Sequence, residues 1–254
     1  MVNELGAVTT AVTERVATVS FFHPRSNSLP GALLRQIAAA IDQVGEDAAV
    51  KVVVLKSEGD KAFCAGASFD ELCAVKNLEE AKYFFSGFAT LILAIRRCPK
   101  FVICRVQGKV AGGGVGVAAA ADYTLATATA SARLSELAIG IGPFIIGPVV
   151  ERKIGSAAFG EMAIDADWRE ASWAKARGLY VDIYPSIEEL DTAVAAMARR
   201  LAGYHGAAMG HLKTVLWEGT AHWPELLPAR AAITSELALT DFVQQTVAGL
   251  KGGA

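Results

Sequence analysis

Apolar and polar residues alternate in two ways along this chain. Val8, Val12, Val16, Val19 and Phe21 sit in β-rich runs on either side of Thr13-Glu14-Arg15, which predicts a hairpin over residues 7–22. The spacing then changes. Leu33, Ile37, Ala40, Ile41 and Val44 recur at helical intervals after Pro30, a residue suited to a helix start. Lys51 to Lys56 (KVVVLK) is a short apolar strand, Phe84, Phe88, Leu91, Ile92 and Ile95 form a second helical stripe, and Phe101 to Val106 (FVICRV) is a second buried strand. This alternation predicts an α/β fold with parallel pairing. Beyond about residue 155 the pattern is helical, apart from a short strand near Tyr180 to Tyr184. The last stretch holds Ala, Leu and aromatic residues, including Trp217, Trp223 and Phe242. No Ser/Gly/Pro linker and no internal repeat interrupts the chain.

Composition narrows the classes. With 254 residues, 53% of them hydrophobic and 20% charged, the chain can bury a sizeable core. A helix needs about 20 uninterrupted apolar residues to cross a bilayer. The most apolar stretches, VAGGGVGVAAAA from Val110 and IGIGPFIIGPVV from Ile139, are shorter and broken by Gly or Pro. The excess of apolar residues is therefore expected in an oligomer interface or a ligand pocket. A net charge of −2, with scattered Lys and Arg, offers no basic field for nucleic acid or an anionic membrane. The start, MVNELGAVTT, has no secretory pattern. Cys64, Cys73, Cys98 and Cys104 form no CxxC pair, and the four histidines supply no zinc spacing. Free thiols, no metal and a cytoplasmic location are the expectation.

Two segments look chemical. Phe63-Cys64-Ala65-Gly66-Ala67-Ser68 and Gly112-Gly113-Gly114 each follow a strand. Small residues at a strand-to-helix junction expose backbone N–H groups and let a ligand approach them. Two such amides converging on one carbonyl oxygen make an oxyanion hole. The plainer reading is that these glycines only allow close packing. The dinucleotide fingerprint fits poorly, and the phosphate loop GxxxxGK[ST] is absent.

The order FCAGAS, strand, QGKVAGGGVGVAAAADY, then ARLSELAIGIGP resembles the crotonase (enoyl-CoA hydratase/isomerase) superfamily over roughly residues 10–185. The resemblance implies a spiral of ββα units, a core over residues 1–195 and a helical C-terminal region over 196–254 that packs in trimers or in hexamers of two trimers. It implies an acyl-CoA substrate, so coenzyme A arrives within the thioester and no separate cofactor is needed. It assigns the two oxyanion amides to Ala67 and Gly113, with Ala65 and Gly66 beside the coenzyme. Ser68 stands where an Asp is usual. Of the two glutamates of family hydratases, Glu136 matches one, whereas the position of the other is Gly116, which cannot transfer a proton. One glutamate beside an oxyanion hole suits movement of an enoyl double bond. Hydration through Glu136 and a bound water, and a non-catalytic scaffold, remain alternatives. Asp70, Glu71 and Glu161 are candidates for a second acid or plain surface charges. Phe84, Phe88, Ile141, Phe144 and Trp168 are candidate walls of an acyl pocket or simply core. Arg25, in HPRSNSLP, matches a basic residue near the nucleotide end. Lys251 resembles a tail lysine that in some relatives reaches a neighbouring subunit's ligand.

Overall fold

The computed structural model describes residues 6–252, with side chains through residue 250. The hairpin forms as the pattern predicts. Strands β1 (Ala7–Thr13) and β2 (Val16–Phe22) pair antiparallel, with Thr13 opposite Val16. The two-residue turn puts both Glu14 (φ 50°) and Arg15 (φ 68°) in the left-handed region, as the twist of a tight hairpin requires. Helix α1 (Gly31–Glu46) starts behind Pro30 and buries Leu33, Leu34, Ile37, Ile41 and Val44. Strand β3 (Val52–Ser57) follows, then α2 (Phe69–Ala74) and α3 (Leu78–Arg97). Asn77 caps α3 by accepting from Glu80 N at 3.0 Å. Glu79 and Glu80 in its first turn and Arg96 and Arg97 in its last complement the helix dipole.

The next turns repeat the plan. Strands β4 (Phe101–Val106) and β5 (Val110–Ala111) lead to α4 (Gly113–Ala120). Strands β6 (Tyr123–Thr127) and β7 (Ala132–Arg133) lead to α5 (Gly147–Ile154) and α6 (Ser156–Asp165). Helix α7 (Ala171–Ala176), strand β8 (Asp182–Tyr184) and helix α8 (Ile187–Ala202) close the sheet. Helices α9 (Gly206–Leu216), α10 (Trp223–Ala238) and α11 (Asp241–Gly252) complete the chain.

The main sheet runs β1-β2-β3-β4-β6-β8, parallel after the hairpin, and β5 and β7 make a second, small parallel sheet. Isolated bridges extend the small sheet on both sides: Cys64 pairs with Val110, and Ala132 with Arg169. A further bridge joins Leu29 to Ala67. Each ββα unit thus gives a long strand to one sheet and one or two residues to the other. The sequence suggests a single step from Val106 to the glycine triplet; β5 lies between them.

Alternation along the central strands sorts the core. Val53, Leu55, Val102 and Cys104 face α1 and α3, whereas Val52, Val54, Ile103 and Leu125 pack on Leu190, Val194, Ala198 and Ala202, a four-residue stripe on α8. Arg105 of β4 donates from Nε and Nη2 to the Asp191 carboxylate of α8 at 2.7 and 3.1 Å. The domain boundary expected at residues 195/196 falls inside α8. The tail is anchored by a buried ion pair. Lys213 of α9 places Nζ 2.8 Å from Asp122 Oδ2, and Trp217 Nε1 donates to Asp122 Oδ1 at 3.0 Å. No helix among the described residues is long and apolar enough to cross a membrane.

Candidate active site

The small sheet builds the site. In the bridge between Leu29 and Ala67, Leu29 N donates to Gly66 O at 2.8 Å and Ser68 N donates to Leu29 O at 3.2 Å. In such a parallel bridge Leu29 takes its bonds from the residues flanking Ala67, so Ala67's own N–H points the other way. It meets no acceptor among the described residues. Gly66 makes this crossing possible: its φ of 93° is unfavourable for an L side chain, and a Cβ there would lie 3.0 Å from Ala111 O. The facing wall is the start of α4. Gly112 N donates to Arg133 O at 2.8 Å, and Gly112 has φ 51° and ψ −126°, a conformation that favours glycine. Helix α4 then starts at Gly113, whose N–H, in the first turn, has no intrahelical partner. Ala65, Gly66, Ala67, Gly112, Gly113, Ser135 and Glu136 all line one cavity of about 60 Å³.

Glu136 reaches this cavity because β7 ends at Arg133, Leu134 is buried, and a turn then begins. Ile139 N and Ile141 N both donate to Glu136 O, and Gly140 closes the turn with φ 88°. The carboxylate Oε2 is shut off from solvent and has no hydrogen-bond partner among the described residues. Desolvation raises its pKa from 4.5 to about 7, against the opposing pull of the Glu136 and Ser135 amides. The rest of the wall is apolar: Phe69, Leu72, Phe85, Phe88, Ile139, Ile141, Ile145 and Ile146, with Pro143 and Thr234. The site therefore combines two amides free to hold an oxyanion with one carboxylate near neutral pKa. That set can move a proton next to a polarised carbonyl.

The sequence model described as enoyl-CoA hydratase/isomerase matches residues 11–245. The chain belongs to the enoyl-CoA hydratase/isomerase family. It is 30% identical over 154 residues to a Bacillus subtilis (strain 168) protein named "Probable enoyl-CoA hydratase", covering 60% of this chain and 59% of that one. It is 31% identical over 213 residues to "Probable enoyl-CoA hydratase echA12" of Mycobacterium bovis, covering 80% and 74% respectively. The crystal structure of enoyl-CoA hydratase from Bacillus halodurans shares the fold, with a TM-score of 0.88 at 18% identity over 95% of this chain and 99% of that one. The crotonase spiral expected from the motifs is thus the observed family fold.

Within this family frame, the structure sorts the remaining sequence candidates. Gly116 sits in α4, and a Cβ there would lie 2.4 Å from Ile146 Cγ2 and 2.6 Å from Ile146 Cβ. The space for a second acid is filled by Ile146. The three other acids have structural partners. Glu71 Oε2 accepts from Gly31 N at 2.7 Å, at the start of α1. Asp70 pairs with Arg25 at 2.8 Å, and Glu161 with Arg169 at 3.4 Å. None of them lines the Glu136 cavity. Arg25 is two-thirds exposed and also lines neither this cavity nor its neighbour. The Lys251 side chain lies outside the described residues. Ser68, in place of Asp, caps α2 by accepting from Glu71 N at 3.3 Å.

Of the expected acyl walls, Phe88 and Ile141 line the cavity. Phe84 does not: it is fully buried against Phe85, ring centroids 4.9 Å apart, and Phe85 takes the wall instead. Phe144 turns its ring onto Gly142, and Trp168 lies in a second cavity. The sequence reading missed Phe69 and Leu72 of the short helix α2 and Thr234 of α10. Short helices show little periodicity, and nothing local marks a distant residue as part of a wall. Cys64, Cys98 and Cys104 are buried free thiols. Desolvation pushes the Cys64 thiol up to about 12, which disfavours its thiolate.

Proposed function

We propose that this chain shifts the double bond of an enoyl-CoA, with Glu136 as its one proton carrier. The observation that supports this most is the pairing of Glu136 with Gly116 under Ile146. Glu136 Oε2 takes a proton from C2 of a 3-enoyl thioester, breaking that C–H bond. The electron pair spreads over C2 to C4 and the thioester oxygen, where the Ala67 and Gly113 N–H groups hold the developing charge. The same carboxyl returns the proton to C4, forming a new C–H bond and leaving the double bond between C2 and C3. A carboxyl with a pKa of about 7 suits both halves of this shuttle. Offered 3-enoyl-CoA and 2-enoyl-CoA separately, purified protein is expected to interconvert them. Water addition to the 2-enoyl compound as the sole reaction overturns the proposal.

The relatives' names favour a second reading, hydration of a 2-enoyl-CoA. Glu136 would then direct a water unaided by a second carboxylate. The helical tail supports self-association through α9, where Leu212, Val215 and Leu216 are about half exposed. Light scattering is expected to give three or six times the chain mass, and a monomer at working concentration contradicts this.

A further inference from the structure

The cavity that holds Glu136 is open on one side and closed on the other. It adjoins a wider space of about 490 Å³, and the two share Ala65, Phe69, Ser135 and Ile139. Phe69, at this mouth, is 39% exposed. Leu72, Phe85, Phe88, Ile145, Ile146 and Thr234 line the Glu136 cavity alone, and all are buried; Ile145, the most exposed of them, is at 5%. They come from α2, α3, the segment leading into α5, and α10, so separate parts of the chain meet to seal that end.

The closed end sets a limit of size and a limit of charge. An apolar cavity of about 150 Å³ holds one benzene molecule, so the cavity of about 60 Å³ has room for about three carbons beyond a carbonyl resting on the Ala67 and Gly113 amides. A close-packed wall does not admit a longer chain without strain. Among the described residues no Lys, Arg or His lines the cavity, and Glu136 is its one carboxylate. The Thr234 hydroxyl donates to Arg230 O at 3.3 Å, within its own helix. A second carboxylate, carried on the acyl group, would be buried near Glu136 with no counter-charge. We infer that the chain selects a short, uncharged acyl group of about four carbons, with Leu72, Phe85 and Ile145 as the stop that sets its length. This rests on the proposed acyl-CoA substrate but not on which reaction follows.

Saturated thioesters test this without turnover. Butanoyl-, hexanoyl-, octanoyl- and malonyl-CoA, with free coenzyme A as the baseline, are titrated into the intact protein by calorimetry. Butanoyl-CoA is expected to bind roughly 10- to 100-fold tighter than free coenzyme A. Octanoyl-CoA, too long for the closed end, and malonyl-CoA, short but charged, are expected to bind no tighter than free coenzyme A. Ile145→Ala is expected to tighten hexanoyl-CoA about 10-fold relative to butanoyl-CoA, because it deepens the cavity. Leu72→Ala is expected to do the same from α2, and melting curves establish that each variant is folded. Octanoyl-CoA or malonyl-CoA bound as tightly as butanoyl-CoA overturns the inference, as does the parental ranking in both folded variants. Failure of the acyl-CoA reading looks different: butanoyl-CoA would then bind no better than free coenzyme A. A protein that ranks the saturated thioesters as expected yet does not isomerise a 3-enoyl-CoA would refute the proposed reaction alone.

Discussion

Glu136→Gln is expected to lower the rate of double-bond movement by about 10²- to 10⁴-fold while leaving coenzyme A binding intact. Glutamine keeps the shape of the side chain and removes its ability to take a proton. The same change is expected to stabilise the protein at neutral and higher pH. The folded-state pKa of Glu136 is raised, from 4.5 to about 7. The folded protein therefore holds a proton that the unfolded chain gives up between those values. Stability linked to this group is complete below pH 4.5 and is lost as pH rises to about 7. The loss amounts to about 3 kcal/mol, at 1.36 kcal/mol per pKa unit. Above that pH the Gln variant should melt higher than the parent, with little difference near pH 4. The rate should show the opposite side of the same titration, rising with pH toward a limit above about 7 as the base form fills. A variant that is both active and no more stable at pH 8 would remove Glu136 from both roles.

Gly113→Ala is the second large effect. Gly113 does not need a left-handed backbone, so conformational freedom is not the reason for glycine there. Space is the reason: a Cβ would lie 2.2 Å from Phe88 Cε1 and 2.4 Å from its Cζ. Phe88 is buried in the core and cannot swing out freely. The start of α4 must shift, taking with it the amide proposed to hold the thioester oxygen. Loss of one such donor typically lowers kcat by about 10²- to 10³-fold. Trimming the ring with Phe88→Leu in the same chain should recover part of the rate. A single Gly113→Ala variant with parental kcat would show that this amide does not hold the oxyanion.

Long elements were legible in the sequence because each repeats one periodicity many times. The hairpin, α1, β3, α3 and β4 fall close to where the apolar spacing puts them. The small sheet was not legible. β5 and β7 have two residues each, and Cys64, Leu29 and Arg169 join through single bridges, too few to show alternation. Yet these short pairings bring Ala67, Gly113 and Glu136 to one cavity. The glycine runs are chemical signals by themselves, whereas Ala67, Gly113 and Glu136 stood out because the order of the motifs resembles a family. Periodicity put both Phe84 and Phe88 on one helical face, but only packing decides that Phe85 lines the cavity while Phe84 sits in the core. Arg25 drew attention by its position in a loop, and its partner proved to be Asp70. Ile146 carries no local sign of its place in the site. Its role in filling the space over Gly116 follows only from the approach of α5 to α4.

The central claim is that one carboxylate carries a proton from C2 to C4. It is tested most directly with a 3-enoyl-CoA deuterated at C2. Mass spectrometry of the product should find deuterium at C4 and the double bond between C2 and C3, with both lost in Glu136→Gln. Deuterium retained wholly at C2, while an added 2-enoyl-CoA gains a hydroxyl at C3, would contradict the account.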